Sequence, residues 1–256
     1  MIFKLLWISL LVIRCELIHF SCEKAGDIAF TFDQGPSYYT GVLLNTLSKL
    51  KIKATFHVDV EWLSNPVLMA YLKRTVNDGH TIGLFIKQND LKDEQIRALI
   101  LQNSEILLRK TGVTVKFLRF QIPTPNDEFL KELDNSGYVV TTYNLDAQDY
   151  EFQKNVNDSH PIFQIMKRAF DQIVPPALGS FIVVQHDGIQ ESVRQSEMII
   201  DYAIQKGYTP VSMEECVKES VSIIPDPLEG PTVSSSATSR KYTLFLLLIC
   251  FLSHLK

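Results

Sequence analysis

Between about residue 27 and residue 210, short β-branched and aromatic runs alternate with longer stretches of helical periodicity, and no other feature narrows the fold as much. Repeated βα units lay their strands side by side and parallel, because each crossover helix returns the chain to the same end of the sheet. The pattern predicts strands over 27–32, 53–58, 81–85, 115–118, 138–142 and 181–185, with a last short one near Thr209. Helices are expected over 38–49, 65–78, 93–110, 127–136, 161–173 and 191–205. The fold class is therefore α/β with a parallel sheet of about seven strands, and ligands are expected at the C-terminal strand ends.

Both ends of the chain are apolar and are read as addresses. Lys4 precedes an apolar run over 5–13 that includes Trp7, the length of a secretory signal and too short to span a bilayer. Residues 1–21 are taken as that signal, with cleavage between Cys15 and Cys22. At the far end a polar Pro/Ser/Thr-rich linker over 221–241 leads into an apolar tail over 242–256. Small residues followed by a polar spacer and a short apolar tail form the pattern of a glycosylphosphatidylinositol attachment signal, with Ser234, Ser235 or Ser236 as the attachment residue. A retained tail anchor is the alternative. Either way the chain is expected to be secreted and held at a cell surface, on the plasma membrane or in the wall.

The remaining segment, 22–220, suits one domain. A net charge of −4 with interspersed signs leaves no basic stripe for a phosphate backbone, so a nucleic-acid partner is excluded. Cys15 and Cys250 fall in or near the removable ends, which leaves Cys22 and Cys216 to bridge in an oxidising compartment or to stay as two thiols. Asn157 opens an Asn157-Asp158-Ser159 glycosylation triplet.

The expected strand ends carry chemistry. Thr31-Phe32-Asp33-Gln34-Gly35-Pro36 follows the first, Ala54-Thr55-Phe56 lies in the second, and Gly79-His80-Thr81-Ile82-Gly83 leads into the third. Asp146-Ala147-Gln148-Asp149-Tyr150 and Val184-Gln185-His186-Asp187 come later. In this order the five segments resemble the T-F-D-D-G-P, second-strand, G-H-E-I-G, D-x-x-D-W and L-x-H-D motifs of the polysaccharide deacetylases, the NodB-homology or carbohydrate esterase 4 family. The resemblance covers nearly the whole domain and implies a distorted (β/α) barrel. It also implies a hydrolysis in which a divalent metal, Zn or Co, polarises an acetamide and activates water, a carboxylate takes the water's proton, and a histidine protonates the departing amine. Position by position, Asp33 would be the base, His186 the acid and Arg119 the residue that orients the base. Asp146 would be the carboxylate that holds the histidine. A buried structural ion pair between Arg119 and Asp33 is the other reading of that couple.

The metal ligands depart from the family pattern. Its metal aspartate is replaced by Gln34, and its H-S/T-x-x-H histidines by Phe85 and Asn89, with Lys87 adding a cation between them. An amide is a weak, uncharged donor and a phenyl ring is none, so no metal cofactor is expected. His57 ends the second strand where the family has an apolar residue and is the one histidine considered as a substitute ligand. His80 is given a structural role. Phe120-Gln121-Ile122-Pro123 replaces x-P-Y-G, and Tyr38, Tyr39 and Tyr150 are the aromatic faces available to a sugar.

The expected function is a chitin deacetylase-like surface or wall protein without deacetylase activity, with chitin or another wall polysaccharide as partner. An active deacetylase acting on N-acetylglucosamine polymers is the alternative. A protein-interaction or structural wall module is the third reading.

Overall fold

A computed structural model describes residues 17–88, 90–152, 160–172, 175–176 and 178–218. Asn89, Asn157, the serines at 234–236, the apolar tail and most of the signal segment lie outside the described residues.

The strands are β1 (Asp27–Gly35), β2 (Thr55–Val58), β3 (Thr81–Ile86), β4 (Phe117–Phe120), β5 (Val139–Val140), β6 (Leu145–Asp146), β7 (Phe181–His186) and β8 (Thr209–Pro210). They run parallel in the order β5-β4-β3-β2-β1-β7-β6, curled as a distorted half-barrel, and β8 pairs with the start of β1. Helices α1 (Thr40–Leu50), α2 (Pro66–Asn77), α3 (Asp93–Thr111), α4 (Asp127–Asn135), α5 (Pro161–Gln172) and α6 (Gln190–Gln205) alternate with the strands. A short α7 (Met213–Cys216) follows β8. The alternating pattern is thus realised as the α/β barrel expected for it.

Local chemistry explains the element ends. Asn65 caps α2 by accepting from the Val67 and Leu68 amides, with Pro66 beside it, where a missing N–H costs nothing. Asn126 caps α4 by accepting from the Phe129 amide. Ser212 and Glu215 form a reciprocal capping box on α7.

The central strands are buried on both faces, which is why they read as nearly continuous apolar runs. Phe30, Phe32, Leu84, Leu118 and Val183 anchor a single large core. A smaller cluster of Ala29, Phe117, Ile182 and Met213 surrounds the disulfide between Cys22 and Cys216. That bridge ties the start of the domain to α7, as the cysteine count led us to expect. Packing against the domain includes residues ahead of Cys22: Leu17 and Ile18 pack on the core, and His19 bridges Thr141 beyond β5.

Candidate active-site cleft

The C-terminal ends of β1, β2, β4 and β7 converge on one acidic centre. In register, Asp33 of β1 lies between His57 of β2 and His186 of β7. Asp33 is only 3% exposed and Arg119 1%. Arg119 Nη1 donates to Asp33 Oδ2 at 3.1 Å, while its Nε and Nη2 donate to the Thr141 and Thr142 carbonyls at 2.8 and 3.0 Å. The guanidinium also lies over the Tyr143 ring, 5.6 Å from its centroid. Burial alone raises the Asp33 carboxyl, but Arg119 and His57 together hold it below its ordinary value.

The second pair is His186 with Asp149. Asp149 is fully buried; its Oδ1 lies 2.7 Å from His186 Nδ1, and its Oδ2 accepts the His186 main-chain N–H at 2.6 Å. Burial works to lower the imidazole, yet the Asp149 hydrogen bond and charge, helped by Asp33 and Asp146, leave it above its ordinary value.

This arrangement corrects the role assigned to Asp146. Its carboxylate accepts instead from the Gln148 amide at 2.8 Å and from the Tyr150 hydroxyl at 3.2 Å. Gln148 has a φ of 52°, in the left-handed region, and the 3₁₀ turn Asp149–Phe152 that follows carries Asp149 inward. Both aspartates belong to one D-x-x-D motif, so the sequence offered the right pair; only the backbone reversal at Gln148 separates them.

His57 is fully buried, with Nδ1 2.8 Å from Asp33 Oδ1 and Nε2 3.2 Å from the Thr141 hydroxyl. Both ring nitrogens of the histidine considered as a substitute ligand are thus engaged within the protein, by Asp33 and Thr141. His80 has the structural role expected of it. It accepts the Ala54 amide at 3.2 Å and packs edge-on to Phe56, and burial pulls it down to about 4.

At the positions that the resemblance assigns to a metal, Gln34 is exposed beside the cleft and Phe85 is buried. Lys87 turns to Asp59 at 2.5 Å and Glu61 at 3.5 Å. An amide and a phenyl ring do not fit a zinc or cobalt ion, which needs charged or strongly donating ligands. Among the described residues no group of three or more His, Cys, Asp and Glu side chains is placed to supply them.

Asp33, Gln34, Tyr150 and His186 line a cleft of about 670 Å³ together with Tyr38, Tyr39, Trp62, Lys87 and Glu191. The same four residues border a side lobe of about 260 Å³ walled by Phe85, Phe120, Ile122 and Tyr143. Tyr38 is 63% exposed and its hydroxyl accepts from Asn65 Nδ2 at 2.8 Å. Trp62, which the motif reading overlooked because it belongs to no motif, donates from Nε1 to the Gln34 carbonyl at 3.0 Å. Tyr39 packs partly on the core. The cleft therefore holds a paired carboxylate and a paired imidazole on its floor and fixed aromatic rings on its rim.

Comparison with known proteins bears on the family and the fold. The profile of the family described as polysaccharide deacetylase matches residues 21–141. A chitin deacetylase of Colletotrichum lindemuthianum is 27% identical over 212 residues, covering 78% of this chain and 82% of its own. The solved structure of the chitin deacetylase from that fungus superposes with a TM-score of 0.72 at 26% identity, covering 80% of this chain and 92% of the other. A peptidoglycan N-acetylglucosamine deacetylase structure reaches 0.68 at 25% identity, with 80% and 94% covered.

Proposed function

The chain belongs to the polysaccharide deacetylase family, and from that premise we propose that it is a noncatalytic member that holds a wall polysaccharide such as chitin in its cleft at a cell surface. What carries this reading is a mismatch within one cleft. The family's acid and base positions are kept and paired, as His186 with Asp149 and Asp33 with Arg119, while two of its metal positions carry Gln34 and Phe85.

Hydrolysis of an acetamide needs an activated water. A bound metal brings the pKa of water from ~16 to ~7, and without it the deprotonation rests on Asp33 alone. A carboxylate held below its ordinary value by Arg119 and His57 is a weaker base still. The floor is better suited to accept hydrogen bonds from a sugar than to take a proton from water. Tyr38, Trp62 and Tyr150 supply flat apolar faces of the kind that sugar rings cover. Retention at a surface rests on the two terminal segments, and the Cys22–Cys216 bridge suits a secreted chain.

A working deacetylase is the second reading, favoured by one observation: His186 is held above its ordinary value, the state a general acid needs. Metal content and acetate release from chitin oligomers, measured on the purified protein with Zn²⁺ or Co²⁺ added, separate the two. No bound metal and no acetate, together with saturable oligomer binding, are the expected results. Acetate release that disappears in Asp33→Asn would overturn the noncatalytic reading.

A further inference from the structure

Asp33 belongs to a closed, buried ring of hydrogen bonds, only part of which the family's acid and base positions explain. His57 Nδ1 meets Asp33 Oδ1, Arg119 meets Asp33 Oδ2, Arg119 Nε reaches the Thr141 carbonyl, and the Thr141 hydroxyl returns to His57 Nε2. Every member is at most 3% exposed. The chemistry of the ring fixes its protons. Arg119 and Asp33 cancel in charge, so a protonated His57 would leave an uncompensated buried cation. A neutral imidazole facing a carboxylate through Nδ1 carries its hydrogen there, and Nε2 then accepts from the Thr141 hydroxyl. Space for the imidazole comes from β3, whose Gly83 pairs with His57 in register. A Cβ on Gly83 would lie 2.6 Å from His57 Cδ2 and 2.9 Å from the Phe117 carbonyl.

Building on the noncatalytic reading above, we propose that His57 is a positioning residue: its Nδ1–H and Arg119 together hold both Asp33 oxygens, fixing the carboxylate as an acceptor for a bound sugar and withdrawing it as a base. His57 thereby opposes hydrolysis independently of the substituted metal positions. A carboxylate with a donor on each oxygen keeps lone pairs for a hydroxyl or amide N–H, but gains little by taking up a proton.

The test uses the full chain labelled with ¹⁵N at histidine, with His57→Asn to identify the His57 resonances. From pH 5 to pH 8, His57 is expected to keep hydrogen on Nδ1 and none on Nε2. The opposite tautomer, or protonation of both nitrogens in that range, overturns the proposal. Binding of N-acetylglucosamine hexamer is the second readout. Asparagine places an amide donor near the Nδ1 position and leucine places none. His57→Asn should therefore bind within about twofold of wild type, and His57→Leu at least about fivefold more weakly. Equal binding by both variants, at unchanged thermal stability, reduces His57 to packing and overturns the proposal. A wild-type chain that binds no hexamer counts against the sugar-holding reading of the cleft, and the tautomer then decides for His57 alone.

Discussion

His186 Nδ1 lies 2.7 Å from Asp149 Oδ1, and the same carboxylate accepts the His186 main-chain N–H through Oδ2 at 2.6 Å. One buried aspartate thus fixes the ring and its backbone together. Asp149→Asn should lower the His186 pKa, because burial, which already works in that direction, would lose its main opponents. The sign for stability follows from the raised folded value. The pair's contribution is complete below the unfolded value of ~6.5 and fades as pH rises through the higher folded one. Histidine NMR titration of wild type and variant measures the shift. Coincident His186 curves would assign its state to something other than Asp149.

Arg119 and Asp33 form an ion pair with almost no water, so removing one partner should cost far more than an exposed pair would. Arg119→Met is expected to lose about 3–5 kcal/mol by urea denaturation, since it leaves the Asp33 charge buried. Adding Asp33→Asn should recover a substantial part. Strictly additive losses would mean that the two are energetically independent in spite of their 3.1 Å contact.

The fold was legible because period and composition act locally: β1, β3 and β7 appear in the sequence as apolar runs, and α3 as a long periodic stretch. The two-residue β6 was not, since Leu145 and Asp146 carry too short a pattern to mark a strand. At the site, Asp33, Arg119 and His186 could be placed from strand-end motifs. The partners could not. Asp149 rather than Asp146 reaches His186 because of a left-handed residue at Gln148, and the His57 ring that meets Thr141 has room because its β3 neighbour, Gly83, carries no side chain. Both are facts of backbone path and cross-strand register, which no single segment encodes.

Asp187 is fully buried, with Oδ2 accepting from the Thr40 hydroxyl at 2.5 Å and Oδ1 meeting no hydrogen-bond partner among the described residues. Burial raises its carboxyl to about 6, against the Thr40 bond and His186. A raised folded value means that the proton is bound more tightly in the native state. The contribution is therefore full below ~3.9 and lost as pH climbs through about 6. Asp187→Asn should gain on wild type between pH 4 and pH 7.5 by about 2–3 kcal/mol, from ~1.4 kcal/mol per pKa unit. Urea midpoints at the two pH values test this. Parallel behaviour of the two proteins would mean that the carboxyl does not titrate in that window.

The Cys22–Cys216 bridge spans 194 residues and closes nearly the whole domain. Restricting the unfolded chain over so long a loop is worth about 2–5 kcal/mol in the entropic account. The Cys22→Ser, Cys216→Ser double variant should lose that much while keeping its secondary structure, because the surrounding cluster of Ala29, Phe117, Ile182 and Met213 stays packed. Loss of less than about 1 kcal/mol would locate the stabilisation in packing rather than in chain restriction.

On the cleft rim, Trp62 and Tyr38 are exposed yet each is pinned by its polar end, Trp62 to the Gln34 carbonyl and Tyr38 to Asn65. Pinning removes rotamer freedom before a ligand arrives, so less entropy is lost on binding. Gln34 itself has a φ of 66°, a conformation uncommon for a side chain of its kind, and the indole bond is one of the contacts that hold it there. Trp62→Ala should therefore act twice, deleting an apolar face and loosening Gln34. A loss of about tenfold in N-acetylglucosamine hexamer affinity is expected by calorimetry, equivalent to ~1.4 kcal/mol. Trp62→Phe keeps the face without the N–H and should fall in between. If both variants bind as wild type does, the rings on this rim are not where a sugar rests.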